Sequence, residues 1–154
     1  MSDLTVRLAE GDDIALGAAL RWRWISEDTP GAVPLNSEDF ARALLDWARD
    51  HHQSHRLFLA LDGDEPVGMA WIALTARVPS PITLNRINAD VQSVYVAPEA
   101  RGRGVATALM RYALDWATDA GAEFARVHSS TMAIPLYQAV DFAASPNLME
   151  RRLR

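Results

Sequence analysis

Two arginines and two glycines, Arg101-Gly102-Arg103-Gly104, followed by Val105-Ala106, are the residues best suited to chemistry on an anion. Glycine lets a backbone approach a ligand closely and turn left-handed. The first N–H groups of a helix lack internal acceptors, and the helix dipole leaves them partially positive. A phosphate group suits that combination, and the two guanidinium groups add full charge. Just upstream, Asp90 to Val96 has strand character through Val91, Val94, Tyr95 and Val96, and Pro98 stops it. The spacing is not the dinucleotide fingerprint, because Val105, Ala106 and Thr107 stand where a third glycine belongs. It is not a P-loop either, since no Gly-Lys-Ser/Thr follows.

The wider string Tyr95-Val96, Pro98-Glu99 and Arg101 to Ala106 resembles the acetyl-CoA signature of the GNAT family of N-acetyltransferases. In that family an Arg or Gln, a Gly, and a Gly or Ala form a pyrophosphate turn; here Arg101, Gly104 and Ala106 hold those places. The resemblance implies acetyl-CoA as donor, bound along Arg101, Gly102, Arg103, Gly104, Val105 and Ala106. It also implies a splayed central strand, with N–H groups near Val94, Tyr95 and Val96 offered to the thioester carbonyl and the pantetheine amide.

A second string resembles the same family. Leu136-Tyr137 and Phe142 match its Leu-Tyr and Gly-Phe pairs, with Asp141 where the Gly usually stands. Ser130 replaces the Asn that touches the pantetheine arm in many members. Tyr137 falls where the family's general acid sits, and a phenol can protonate a leaving thiolate at modest cost. Asp90 aligns with the Glu base of the histone-modifying branch; being one methylene shorter, it would act directly or through a water. The plainer alternatives are a half-buried helix tyrosine and a polar residue at a strand mouth. The resemblance is strong over Asp90 to Phe142, and the element order extends it to nearly the whole chain.

The remaining elements must position these groups. Thr5 to Leu8 alternates as a short strand. Asp12 or Asp13 caps a helix to about Ile25, with Ile14, Ala18, Trp22 and Ile25 on one face. Trp22 and Trp24 cannot share a face, so one belongs to the core and the other is free to line a pocket. Thr29 to Pro34 is a loop. In the family this region borders the acceptor site, so Glu27 and Asp28 are either substrate contacts or a solvated helix end. Ser37 starts a second helix with Phe40, Leu44, Trp47 and Ala48 at helical spacing. His51 and His55 are spaced like helical metal ligands, but no third ligand is evident and a polar helix terminus is expected, without metal.

Arg56 to Leu61 and Val67 to Thr75 are strands joined by an Asp62-Gly63-Asp64-Glu65 hairpin turn. A loop of about a dozen residues with Pro79, Pro81 and Asn85 precedes the central strand, and its length suggests that it enters the site. After the glycine turn, Val105, Leu109, Tyr112 or Ala113, and Trp116 form the buried stripe of the main helix, which Gly121 ends. Phe124 to Val127 is a strand, Pro135 opens a short helix ending near Val140, and Leu148 to Leu153 reads as a last strand.

The length of 154 residues and 49% apolar content suit a single domain with its own core. Zero cysteines excludes disulfides and thiolate metal sites and is compatible with the cytoplasm. No apolar run approaches a membrane span, and a net charge of −5 argues against nucleic acid. That charge, with Glu27, Asp28 and Asp90, instead suits a cationic acceptor. The sequence therefore predicts an α/β domain over residues 1–154. Its central sheet is mixed and mostly antiparallel, with helices on both faces. The elements run strand, helix, helix, three strands, helix, strand, helix, strand. The implied function is direct acetyl transfer from acetyl-CoA to the primary amine of a small molecule. A protein lysine or N-terminal acetyltransferase and a non-catalytic acyl-CoA-binding domain are the alternatives, and a homodimer is common in the family.

Overall fold

The computed structural model describes residues 3–154. The chain runs β1 (Leu4–Leu8), α1 (Asp13–Asp28), α2 (Ser37–Asp50), β2 (His55–Asp62), β3 (Glu65–Ala76), β4 (Ile87–Val96), α3 (Val105–Asp119), β5 (Ala122–Val127) and α4 (Ile134–Ala139). The strands form one sheet in chain order, antiparallel from β1 to β4 and parallel between β4 and β5. A parallel neighbour needs a crossover, and α3 supplies it.

Each face of the sheet carries its own helices. Phe58, Ile72, Ala89 and Val91 pack under Val105, Leu109, Met110 and Ala113 of α3. On the other face Leu57, Leu59, Met69, Trp71 and Tyr95 meet α1 and α2 through Leu20, Trp24, Leu44 and Ala48. Gly68 seats α3: a Cβ there would lie 3.0 Å from Leu109 and 3.1 Å from Val105. The helix start is thus pressed onto β3 next to β4, which places the glycine turn beside the end of the central strand.

Local signals explain most boundaries. The Asn36 side chain accepts from the Asp39 N–H (2.9 Å) and caps α2, whose first turn also holds Glu38 and Asp39. Asp62 pairs with Glu65 across Gly63-Asp64, the expected hairpin. Asp141 takes a left-handed φ of 69°, the conformation a glycine would hold there. The Phe142 N–H then closes the end of α4 onto the Tyr137 carbonyl (2.9 Å).

Several expectations are corrected. On α1 the inward face is Gly17, Ala18 and Leu20 with Trp24, because Trp24 stacks on Tyr95 (centroids 5.6 Å apart); Ile25 is left at the surface. On α3, Ala113 rather than Tyr112 joins the buried stripe. The β3–β4 loop is partly hairpin, since the Arg77 N–H donates to the Arg86 carbonyl (2.8 Å). The expected last strand at Leu148–Leu153 does not form. A turn from Ser145 to Leu148 and a His128–Glu150 side-chain contact (3.0 Å) bring the tail to the end of β5 rather than along its edge. Glu150, Arg151 and Arg152 also interrupt the apolar alternation a paired strand would need.

Candidate active site

The site is made by the unequal reach of β4's neighbours. β5 pairs with β4 only from Ile87 to Val91, whereas β3 follows it to Val96. Beyond Val91 one edge of β4 is therefore open. The Ala97 N–H donates to the Val67 carbonyl (2.9 Å) on the β3 side. Donors alternate along a pleated strand, so the N–H groups of Val94 and Val96 turn to the open side and that of Tyr95 turns to β3. The Val96 carbonyl shares the open side, where the Arg101 Nε donates to it (2.9 Å).

The turn that follows is an anion cradle of backbone. Gly102 and Gly104 have φ of 73° and 78°, and a Cβ on either would meet nothing within 4 Å. Gly104 is the residue at which α3 begins, and its carbonyl accepts the Ala108 N–H (3.0 Å). No N–H from Gly102 through Thr107 has a backbone acceptor among the described residues. Free donors, open space and the positive end of a helix fit a pyrophosphate. Arg103 is exposed beside the turn without an acidic partner among the described residues. Arg101 lies 5.8 Å from the centre of the Tyr95 ring, with Trp24 also stacked on Tyr95.

Carboxylates near this cradle are neutralised. Arg23 holds Glu99 through two 2.8 Å hydrogen bonds and Glu27 through a third. The Arg23 hydrogen bond takes the Glu99 carboxyl down to about 2 and holds Glu27 below its usual range. The Tyr95 hydroxyl donates to Glu27 (3.0 Å), and burial first, then that bond, pushes its phenol up. Glu27 is thus tied into a network joining α1 to β4 and the turn. Asp28 is exposed at the end of α1.

Tyr137 is buried on α4, its ring edge-on to Phe142 (5.4 Å), in the same cluster as Val94 and Val96. Its hydroxyl has no protein partner, yet it is not among the sealed unpartnered atoms, so it keeps contact with solvent. Burial raises its pKa above the ordinary phenol value. Ser130 ends the segment after β5, and its carbonyl accepts the Ala133 N–H (3.1 Å).

On the α1/α2 face the register of β3 and β4 shifts. Trp71 faces Ser93 while Ile72 faces Val91, leaving Gln92 as the extra residue of a bulge. Bulges re-aim side chains. Here Gln92 and Ser93 both line a cavity of about 440 Å³ walled by Leu35, Phe40, Ala43, Leu44, Trp47 and Trp71. Its cation is Arg21, whose Nη1 donates to Ser93 Oγ (2.7 Å). Burial alone lowers the Arg21 pKa; no carboxylate opposes it. Asp90 pairs with Ala73, two residues along from Trp71, and so lies on this same face. A second cavity, about 490 Å³, lies beyond Trp71 among the start of α1, α2 and β2, and no β4 residue lines it.

Most of the residues named from the sequence come together around β4, on two sides. Val94, Val96, the glycine turn and Tyr137 belong to the open edge and the α3 face. Asp90 and Glu27 belong with α1 and α2. The β3–β4 loop lines neither cavity. Neither does Trp22, whose Nε1 donates to the Leu35 carbonyl (2.8 Å). Sequence reasoning missed Arg21, Ser93 and the bulge; the available signal was an arginine on the inward stripe of α1 between Gly17 and Trp24.

Residues 19–142 match the sequence family described as the acetyltransferase (GNAT) family. The chain belongs to the GNAT family. It is an acetyl-CoA-dependent N-acetyltransferase, and the cradle and open edge described above suit that donor. Solved structures carry the same fold. A predicted acetyltransferase from Clostridium acetobutylicum, with acetyl-CoA, has a TM-score of 0.76 at 19% identity, covering 98% of this chain and 97% of that one. An acetyltransferase of Trypanosoma brucei gives 0.73 at 22% identity over 98% and 100%. Glucosamine-6-phosphate N-acetyltransferase from Arabidopsis thaliana gives 0.76 at 12% identity over 99% and 100%. No curated protein matches the sequence. Within this GNAT chain, no helix among the described residues is long and apolar enough to cross a membrane, and no three potential metal ligands cluster.

Proposed function

We propose that this acetyltransferase passes the acetyl group directly to the primary amine of a small molecule bound in the cavity beside the β4 bulge. One observation carries the reading: the bulge at Gln92 joins an open cavity on one side to the free N–H groups of Val94 and Val96 on the other. A cavity of about 440 Å³ suits a metabolite better than a folded protein segment. Residues 1–154 would then act as one catalytic domain, working in the cytoplasm.

Bound acetyl-CoA supplies an activated thioester. The Val94 N–H is aimed where it can stabilise negative charge developing on the thioester oxygen, and that of Val96 is free for the pantetheine arm beside Ser130. The turn from Arg101 to Ala106 would hold the pyrophosphate. The acceptor must be neutral at nitrogen, and Asp90, on the cavity's face, would take its proton directly or through a water. A new N–C bond forms as the C–S bond breaks and its electron pair leaves with sulfur. Tyr137 supplies the proton that makes the free thiol, and its raised pKa keeps the phenol protonated across the range where amines become neutral.

The test is thiol release from acetyl-CoA over a panel of small primary amines and lysine peptides. The expected outcome is release with one class of small amine and none with the peptides. Peptide turnover alone would make this a protein-modifying enzyme, and tight acetyl-CoA binding without release for any amine would make it a binding domain.

A further inference from the structure

Arg21 is set apart from the other arginines of α1 and α2. Arg23, Arg42 and Arg49 each meet a carboxylate. Arg21 meets none among the described residues; its one protein hydrogen bond goes to the neutral Ser93 hydroxyl (2.7 Å). It is half-buried, 5.9 Å from the centre of the Trp24 ring, in a cavity with no acidic lining residue. A guanidinium has five N–H donors in a rigid fork, so most of Arg21's capacity is unused. A charge withdrawn from water needs a partner, and the protein does not provide one here.

We propose that the acceptor brings that partner: a primary amine carrying a carboxylate and an apolar side chain, in the manner of an apolar or aromatic α-amino acid. This rests on taking the cavity as the acceptor site. The carboxylate docks on Arg21, whose fork matches it in two parallel hydrogen bonds. Ser93, the residue Arg21 holds, belongs to the bulge at the open edge, so the carboxylate lies close to where the amine must meet the acetyl group. One carbon between amine and carboxylate satisfies both. The side chain then extends toward Phe40, Leu44, Trp47 and Trp71, which offer apolar surface and no charge. The amine forms the N–C bond, the C–S bond breaks with its pair to sulfur, and the products are the N-acetyl amino acid and free thiol.

The lining thus overrides the argument from net charge. Glu27, which favoured a cationic acceptor, is held by Arg23 and Tyr95. A second cation entering this cavity would face Arg21, with no acid among the lining residues. A peptide N-terminus would present a neutral carbonyl in place of the carboxylate.

The experiment uses L-phenylalanine, phenethylamine, phenylalanine amide and the phosphonate analogue of phenylalanine, in two independent assays. Binding is read by quenching of tryptophan fluorescence, since Trp24 lies by Arg21 and Trp47 and Trp71 wall the cavity. Turnover is read by thiol release. L-Phenylalanine should bind and turn over about 10–100-fold better than phenethylamine or the amide, the range of a lost charge-assisted hydrogen bond. Arg21→Gln should erase that preference, and Arg21→Lys should restore part of it, while acetyl-CoA affinity stays at the wild-type value. A phosphonate preferred over the carboxylate would overturn the assignment of carboxylate. Equal or better use of phenethylamine, or an equal loss for all four compounds in Arg21→Gln, would overturn the proposal while leaving an active acetyltransferase. Selective binding of phenylalanine without turnover would uphold the site and instead refute the direct-transfer reading.

Discussion

The two sides of β4 offer different groups. At the open edge and glycine turn the free groups are backbone: the N–H groups of Val94 and Val96 and those from Gly102 through Thr107. Across the sheet, the cavity is built of side chains from α1, the α1–α2 loop, α2, β3 and β4. Backbone recognition depends on chain geometry, which a few glycines and a helix start dictate locally. Side-chain recognition depends on residues far apart in sequence being brought together by tertiary packing. The donor side of such an enzyme can therefore stay fixed while the acceptor side changes with a handful of substitutions.

The sharpest way to break this comparison is at the side chain proposed as the acid on the donor side. Tyr137→Phe keeps the ring, its edge-on contact with Phe142 and the cluster with Val94 and Val96. Turnover should fall by about 10²–10⁴, the range for a positioned acid, with little change in acetyl-CoA affinity. Burial raises the phenol's pKa, so its protonated form is fully present at neutral pH and is lost only as pH rises through that raised value. The alkaline limb of the wild-type rate profile should lie above the ordinary phenol range and vanish in the variant. Unchanged turnover would leave the donor side with backbone alone, and water as the acid.

Next in size is Gly104→Val. A φ of 78° is strained for a β-branched residue by about 1–3 kcal/mol, and its Cβ would occupy the open space above the turn. The acetyl-CoA dissociation constant should rise by about 10–100-fold, the ratio that strain alone implies. Acceptor binding, followed by tryptophan quenching, should hold. Calorimetry giving equal acetyl-CoA affinity would remove the turn from the donor site. Joint loss of donor and acceptor binding would show that the two sides are not separable.

The same contrast explains what the sequence could reveal. The Arg101 to Ala106 turn, the strand before it and α3 after it were readable because strand stop, glycine and helix start lie within one short string. Gly63-Asp64 between two apolar runs fixed the hairpin for the same reason. The cavity beside the bulge was not readable. Nothing local marks Arg21, whose place depends on Trp24, rather than Trp22, facing the sheet. The bulge at Gln92 leaves no local mark, since it arises from how β3 and β4 pair. Position and charge alone point to Glu27 and Asp28, yet Glu27 is bound to Arg23 and Tyr95. The tail misled differently: Leu148 and Leu153 bracket a charged run, and a strand exists only where an edge pairs with it.

The smallest effect expected is at Arg23, which bridges the two sides. From α1 it grips Glu27 and reaches Glu99 on the turn that precedes the cradle. The Glu99 carboxyl is held at about 2 chiefly by this contact. Its pKa is depressed relative to the unfolded chain, so the favourable contribution is present above the ordinary carboxylate value and is lost as pH falls toward 2. Glu99 is fully exposed, so the contact matters less for folding than for the field at the cradle. Arg23→Ala would free an unneutralised carboxylate close to Gly102 and Arg103. Acetyl-CoA affinity should then weaken by about 2–5-fold at low salt, as for an exposed charge, and recover above about 0.5 M salt as screening sets in. An NMR titration should find Glu99 returning toward the ordinary carboxylate range in the variant. A loss of affinity that persists at high salt would mean that Arg23 acts by holding α1 against the turn, and that the two sides share a mechanical joint rather than a field.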